Sequence, residues 1–180
     1  MPSQNWLPGS AVLHSPVEQL EGEKTMSDSN AASPRVVDAT LVDPLAQSHR
    51  IAIVLAQELD RGATGNRCAV LATGLTALHP EIVGKDLKTA DGESLPGFTR
   101  VPITVLTTKG QSLQQMASQA RAAGCTTLVF LSRAQGMRSY EAYRESVAQS
   151  LASDLDVDAM LIYGVKKRVA SITGALPCLR

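Results

Sequence analysis

Aromatic side chains are nearly missing from this chain: two Phe, three Tyr and one Trp make up 3% of its residues. A stacking platform for single-stranded nucleic acid needs exposed rings, so that class is argued against. The core must instead be built from Ala, Val, Leu and Ile. An excess of either charge is also missing, with 17 basic against 17 acidic residues. The whole chain is therefore no nucleic-acid-binding polycation, and no DNA partner is expected. No apolar run approaches the roughly 20 residues that span a bilayer. Met1 to Ser10 has no basic residue and is interrupted by Pro8 and Gly9, unlike a secretory signal. Cysteine is scarce and odd in number; Cys68, Cys125 and Cys178 are too scattered for a disulfide framework or a zinc spacing. A reduced, cytoplasmic protein with no membrane contact, no metal and no cofactor is the expectation.

What is present suits a globular protein. The 180 residues are 44% apolar and 19% charged, enough for one well-cored domain and short for two. The charges are unevenly placed: residues 1–48 carry net −4 and residues 49–180 the balancing +4. The first segment is rich in Ser, Asn and Pro without a helical or strand period. It reads as disordered, with a short ordered piece at Val42 to Leu45. Within it, Glu21-Gly22-Glu23-Lys24-Thr25 precedes Met26, and its codons could read as a purine-rich ribosome-binding site. On that reading translation starts at Met26 in a bacterial host and residues 1–25 are a mis-assigned start. A genuine disordered leader is the other reading, and the intact mass of the native protein separates the two.

Residues 49–180 read as a single α/β domain. Arg50 to Leu55 is an apolar, β-branched run suited to a central strand. A polar loop follows, then a helix from Thr64, as N-cap, to Leu78, with Val70, Leu71, Gly74, Leu75 and Leu78 as its apolar stripe. Ile82 to Arg100 is an excursion with turns at Asp91-Gly92 and Pro96-Gly97. Val101 to Thr107 reads as a second core strand. Gln111 to Ala123 reads as a helix with Leu113, Met116, Ala117 and Ala120 inward and Gly124 closing it. Thr126 to Leu131 is a third core strand, Ser139 to about Ser150 a helix capped by Ser139, and Asp158 to Tyr163 a fourth strand. Lys166 to Ile172 is a short basic helix ended by Thr173-Gly174. Strands alternating with helices imply a largely parallel or mixed sheet with helices against it.

Few constellations carry chemistry. Gly62 to Arg67 lies between a strand and a helix N-terminus, where backbone N–H groups can hold an anion. It matches neither a P-loop nor GxGxxG, and a plain structural turn is the commoner meaning of such a segment. Asn66 and Arg67 are its ligand-facing candidates. Cys68 sits in the first turns of that helix without a nearby base and reads as a small apolar residue. No GxSxG elbow exists, and three scattered His make no metal cluster. Asp154, Asp156 and Asp158 read as a solvated turn entering a strand. Lys166-Lys167-Arg168 with Arg133, Arg138 and Arg180 form either a solvated helix face or a phosphate- or RNA-contacting one.

In order, these segments resemble a family catalogued as a domain of unknown function, number two thousand in that series. Its members share the fold of type II peptidyl-tRNA hydrolases. The stretches that carry the resemblance are Arg50 through Leu55 to Asp60, Gly65-Asn66-Arg67-Cys68-Ala69, Asp91-Gly92, Val101-Pro102-Ile103, Tyr140 to Tyr143, and Tyr163 to Val169 closing in Thr173-Gly174-Ala175-Leu176-Pro177. The resemblance covers residues 49–180, through order and spacing rather than one motif. It implies a mixed four-stranded sheet flanked by helices and allows a homodimer.

It does not carry the hydrolase activity across. Type II peptidyl-tRNA hydrolases have Gly-Lys opening the first helix, then a Gln and a His, where this chain has Gly65-Asn66, Val70 and Thr73. They have an Asp after the third core strand followed by Arg-Thr-Gln, where this chain has Ser132 and then Arg133-Ala134-Gln135. Neither Asn nor Ser replaces the missing charges. What the resemblance leaves is a cleft without a catalyst. The expected role is a non-hydrolytic binding protein for an anionic ligand (an RNA end, a nucleotide or a small metabolite). The ligand would be held by Asn66, Arg67, Ser132, Arg133, Gln135, Lys167 and Thr173. An enzyme of different chemistry in the same cleft and a protein–protein adaptor are the alternatives.

Overall fold

The computed structural model describes residues 43–180. The expectations for residues 1–42, and for a start at Met26, lie outside the described residues. Pro44–Ser48 forms a one-turn helix, α1, capped by the Asp43 carboxylate, which accepts from the Leu45 N–H at 2.8 Å.

β1 (His49–Leu55) is the centre of the fold, with its last five residues buried. Side chains alternate across a strand, so Ile51, Ile53 and Leu55 face one layer while Ala52 and Val54 face the other. α2 (Arg61–Leu78) follows and covers the first layer with Leu71 and Leu75. The helix begins earlier than the Thr64 cap read from sequence. Asp60 is the N-cap, its carboxylate accepting from the Ala63 N–H at 2.7 Å. A carboxylate cap outranks a threonine, so Gly62 to Arg67 is helical rather than a loop. The buried stripe changes accordingly: Ala63, Arg67, Leu71 and Leu75 point inward, whereas Val70 and Leu78 are exposed.

Beyond a 3₁₀ turn at Pro80–Ile82, β2 (Leu87–Lys88) and β3 (Ser94–Leu95) form a small exposed hairpin, the expected excursion. β4 (Ile103–Thr107) lies at a sheet edge, and Leu106 alone of its residues is buried, so it is not the core strand its composition suggested. The outer edge of β4 is covered by the end of the chain. Thr107 donates to the Pro177 carbonyl at 3.1 Å and Leu179 to the Val105 carbonyl at 3.0 Å. An edge left bare would be an aggregation template.

α3 (Leu113–Ala122) is capped by Ser112 and buries Leu113, Met116, Ala117 and Ala120, the four residues its period predicts. Gly124, at φ 72°, ends it in the left-handed conformation. β5 (Thr126–Leu131) leads through a 3₁₀ turn, Ser132–Gly136, into α4 (Tyr140–Ala148), which is capped by Ser139 and has no buried residue. β6 (Val157–Val165) and α5 (Lys166–Thr173) complete the chain.

The sheet is four-stranded and mixed, in the order β4-β1-β6-β5. β1 and β4 are parallel, and β6 runs antiparallel to both β1 and β5. α2 packs on one face; α3 and α5 pack on the other, where Val169 of α5 joins Met160 and Ile162 of β6. The carboxyl ends of β1, β4 and β5 therefore share one end of the sheet, with the starts of α2, α3 and β6. α/β proteins place ligands at such an end.

Candidate functional site

The site begins with an irregularity in β6. Phe130 of β5 pairs with Ala159, but Leu131 pairs with Val157, which leaves Asp158 without a partner on β5. Strict alternation would send Asp158 to the α3 side with Met160 and Ile162. The bulge re-aims it instead, and its carboxylate reaches Arg67 on α2. Arg67 donates from Nη2 to Asp158 Oδ2 at 2.8 Å and from Nε to both carboxylate oxygens at 3.3 and 3.4 Å.

Arg67 is only 2% exposed, a rare setting for a guanidinium. Its Nη2 also donates to Gln135 Oε1 at 2.8 Å, and its Cζ lies 4.6 Å from the centre of the Phe130 ring. The ring face attracts the cation, and the ion pair offsets much of its desolvation. One group is left out. Among the described residues, Arg67 Nη1 is the buried side-chain nitrogen or oxygen without a hydrogen-bond partner. An orphaned charged donor of this kind is costly and uncommon in folded proteins.

Beside this guanidinium lies a cavity of about 420 Å³, lined by Gly62, Ala63, Asn66, Arg67, Val70, Phe130, Ala134 and Gln135. A second cavity, also about 420 Å³, adjoins it and shares Val70, Phe130 and Ala134 as common wall. It runs under the start of α4 toward Val129, Met137, Arg138 and Tyr143. Burial raises the Tyr143 hydroxyl pKa, as does neighbouring Tyr140, with Arg133 opposing them. That hydroxyl therefore stays a neutral hydrogen-bonding group at physiological pH.

Of the site residues read from sequence, Asn66, Arg67 and Gln135 come together on the first cavity. Ser132 does not join them: its hydroxyl donates to the Asp156 carboxylate. Arg133 turns away toward α4, donating to Ser150 Oγ at 2.7 Å and Ser146 Oγ at 3.3 Å, and to the Asp154 carbonyl at 3.2 Å. Thr173 is buried on α5 and donates to the Val169 carbonyl at 2.9 Å within its own helix. Lys167 is exposed at the start of α5, on the α3 face. It follows the end of β6 that pairs with His49, the opposite end of the sheet from Arg67. The expected single cleft that includes the basic helix is therefore divided between two ends and two faces of the sheet.

Asp158 is the residue that sequence reasoning missed. It is buried and paired, not part of a solvated turn. A carboxylate inside the apolar run Val157 to Tyr163 is the available signal, because such a group requires a partner. Cys68 is half-buried at the edge of the core, and burial pushes its thiol pKa up rather than down. Among the described residues, no three His, Cys, Asp or Glu side chains gather as a metal site would need, and no helix is long and apolar enough to cross a membrane.

Fold and site together define an α/β protein with a mixed four-stranded sheet and a cavity beside a buried, ion-paired arginine. The chain belongs to the family described as protein of unknown function DUF2000, whose pattern matches residues 49–180. Among solved structures it is similar to the protein of unknown function Atu0240 from Agrobacterium tumefaciens strain C58. The TM-score is 0.67 at 21% identity, over 74% of this chain and 98% of that one. This similarity establishes the shared fold. No curated protein matches the chain significantly.

Proposed function

We propose that this chain is a non-hydrolytic binding protein for a small anionic ligand, held by Arg67, Asn66 and Gln135 in the cavity beside the first turns of α2. The observation that carries this reading is the orphaned Nη1 of Arg67, a buried charged donor on a side chain that lines a cavity. A ligand oxygen supplies the acceptor it lacks once the lining side chains move aside. A catalytic role has less support. Arg67 and Asp158 engage each other, and the cavity lining offers no acid–base pair.

The resemblance to type II peptidyl-tRNA hydrolases belongs to this proposal. The shared fold is supported by the order of strands and helices, and loss of ester cleavage by Asn66 and Ser132 at the positions of that family's lysine and aspartate. A nucleotide or metabolite is favoured over an RNA end. Lys167 and its basic neighbours lie at the far end of the sheet, so they supply no phosphate contacts at the cavity. In this reading Lys167, Arg133, Ser132 and Thr173 act outside the cavity. A cytoplasmic location and the homodimer that the resemblance allows complete the proposal.

Calorimetric titration of the full chain with inorganic phosphate, adenosine monophosphate and an acceptor-stem RNA tests it at low and physiological salt. One of the small anions binds, and Asn66→Asp, which adds a like charge at the cavity rim, weakens it about tenfold or more. RNA binding that persists at physiological salt, with neither small anion bound, replaces this reading with an RNA-binding one. No binding of any of the three, nor of any small carboxylate, defeats it.

A further inference from the structure

The geometry points to a narrower class of ligand: a monocarboxylate joined to an apolar body, its carboxylate at Arg67 and its body in the groove beneath α4. This inference rests on the cavity reading above and says what the cavity selects.

Charge balance argues for a single negative charge. Arg67 is already offset by Asp158 across a 2.8 Å contact, so the pair brings little net positive charge to the cavity. What remains is a directional donor, Nη1, and the Arg138 side chain farther along the groove, the start of α2 being capped by the Asp60 carboxylate. A carboxylate oxygen satisfies that donor with one charge. A phosphate dianion would leave a second charge uncompensated in a site that is partly out of water.

Shape and lining argue for the apolar body. The two cavities share Val70, Phe130 and Ala134 in their linings, so a ligand anchored at Arg67 that passes Phe130 meets Val129 and Met137. Each cavity alone is within the size range of small-molecule sites. Asn66, Arg67 and Gln135 are the polar groups of the first, and Val70, Val129, Phe130, Ala134 and Met137 give the second an apolar wall that ends at Arg138 and Ser139. Val70 is 48% exposed on α2, and a ligand in this groove would cover it. Gln135 is exposed and meets the guanidinium through one hydrogen bond, so it can swing aside to admit a carboxylate.

The test is calorimetric titration of the full chain with butyrate, hexanoate and octanoate, with 1-octanol and inorganic phosphate as controls. Affinity is expected to rise roughly fourfold per methylene buried along the series. 1-Octanol, which has the same body without the charge, is expected to bind about tenfold or more weaker than octanoate. Val70→Glu, an exposed helix position that tolerates the change, should flatten the series. Arg67→Lys should remove the preference of octanoate over octanol, and the alcohol control decides the same point if that variant does not fold.

Phosphate or adenosine monophosphate bound with no carboxylate bound overturns this ligand class and leaves the anion-binding reading standing. A flat carboxylate series overturns the apolar groove. Octanol equal to octanoate overturns the role of Arg67. Failure of every anion to bind removes both this inference and the reading beneath it.

Discussion

Arg67 and Asp158 are 91 residues apart in the chain, and their side chains meet at 2.8 Å in the interior. The contact requires the bulge in β6, which turns Asp158 to the α2 side, and an α2 that begins at Arg61, which brings Arg67 onto its buried stripe. It fixes the start of the helix on the sheet and holds the guanidinium at the cavity wall. The ion pair thus depends on sheet geometry and on helix capping, and the candidate site is built on it.

Removing one partner should cost far more than removing both. Asp158→Ala leaves the Arg67 charge buried and unpaired, with an expected loss of about 3–5 kcal/mol. Arg67→Met combined with Asp158→Leu removes both charges and should recover most of that loss. Urea unfolding of the two variants checks it. A loss in Asp158→Ala no larger than in the double variant would mean that the pair is not what holds this corner together.

Most of the architecture was legible because burial writes a period into the sequence. α3 and β5 were placed from their apolar spacing alone, and the Ser139 cap was read directly before α4, whereas the start of α3 was set at Gln111 and its Ser112 cap was not read. The start of α2 was misplaced because Gly62 and Gly65 resemble loop residues, and the Asp60 cap overrides that local preference. β4 and β5, the two edge strands, were both taken for core strands because β-branched composition does not distinguish an edge from a centre. In the site, Asn66, Arg67 and Gln135 were legible from their positions near the first helix and after the third strand. Asp158 was not, because a bulge changes the face of one residue without leaving a mark in the alternation.

The excursion between α2 and β4 depends on a close backbone crossing at Gly97. A Cβ there would lie 2.1 Å from the Gly84 carbonyl oxygen and 2.7 Å from the Lys85 carbonyl oxygen, both main-chain atoms. The backbone has to move to admit it, so Gly97→Ala should destabilise by about 1–3 kcal/mol. The corresponding change at Gly136, where no atom lies within 4 Å of the added Cβ, is the control. Equal unfolding midpoints for the two variants would show that the crossing carries no constraint.

Thiol reactivity should follow exposure. Cys178 is exposed, while burial pushes the Cys68 thiol pKa up, as it does that of Cys125, where Arg168 partly opposes it. Iodoacetamide near neutral pH should label Cys178 first and reach the other two only as the protein unfolds. Peptide mass analysis over time reads this order. Early labelling of Cys68 would overturn its assignment as a packing residue.

Glu81 gives the fold a pH-dependent contact. Its hydrogen bond with His79, at 2.9 Å, holds its carboxyl below the ordinary range, with its own backbone N–H adding to the effect. A carboxyl more acidic in the folded state supports the fold above its unfolded pKa and loses that support as pH falls through the lowered value. The difference in unfolding midpoint between the wild type and Glu81→Gln should be largest near neutrality and close at acid pH. A difference independent of pH would mean that the charge of Glu81 contributes nothing.

Arg133 is a tie rather than a cavity side chain. Its guanidinium joins Ser146 and Ser150 to the Asp154 carbonyl, and α4 has no buried residue of its own to hold it. Arg133→Ala should therefore free α4 locally, at a cost of about 1–2 kcal/mol from its charged hydrogen bonds. Hydrogen exchange should quicken across Tyr140–Ala148 while β1 and β6 remain protected. Anion binding at Arg67 should fall less than in Asn66→Asp, because the cavity keeps its polar end. An equal loss of binding with α4 exchange unchanged would place Arg133 in contact with the ligand and return it to the site.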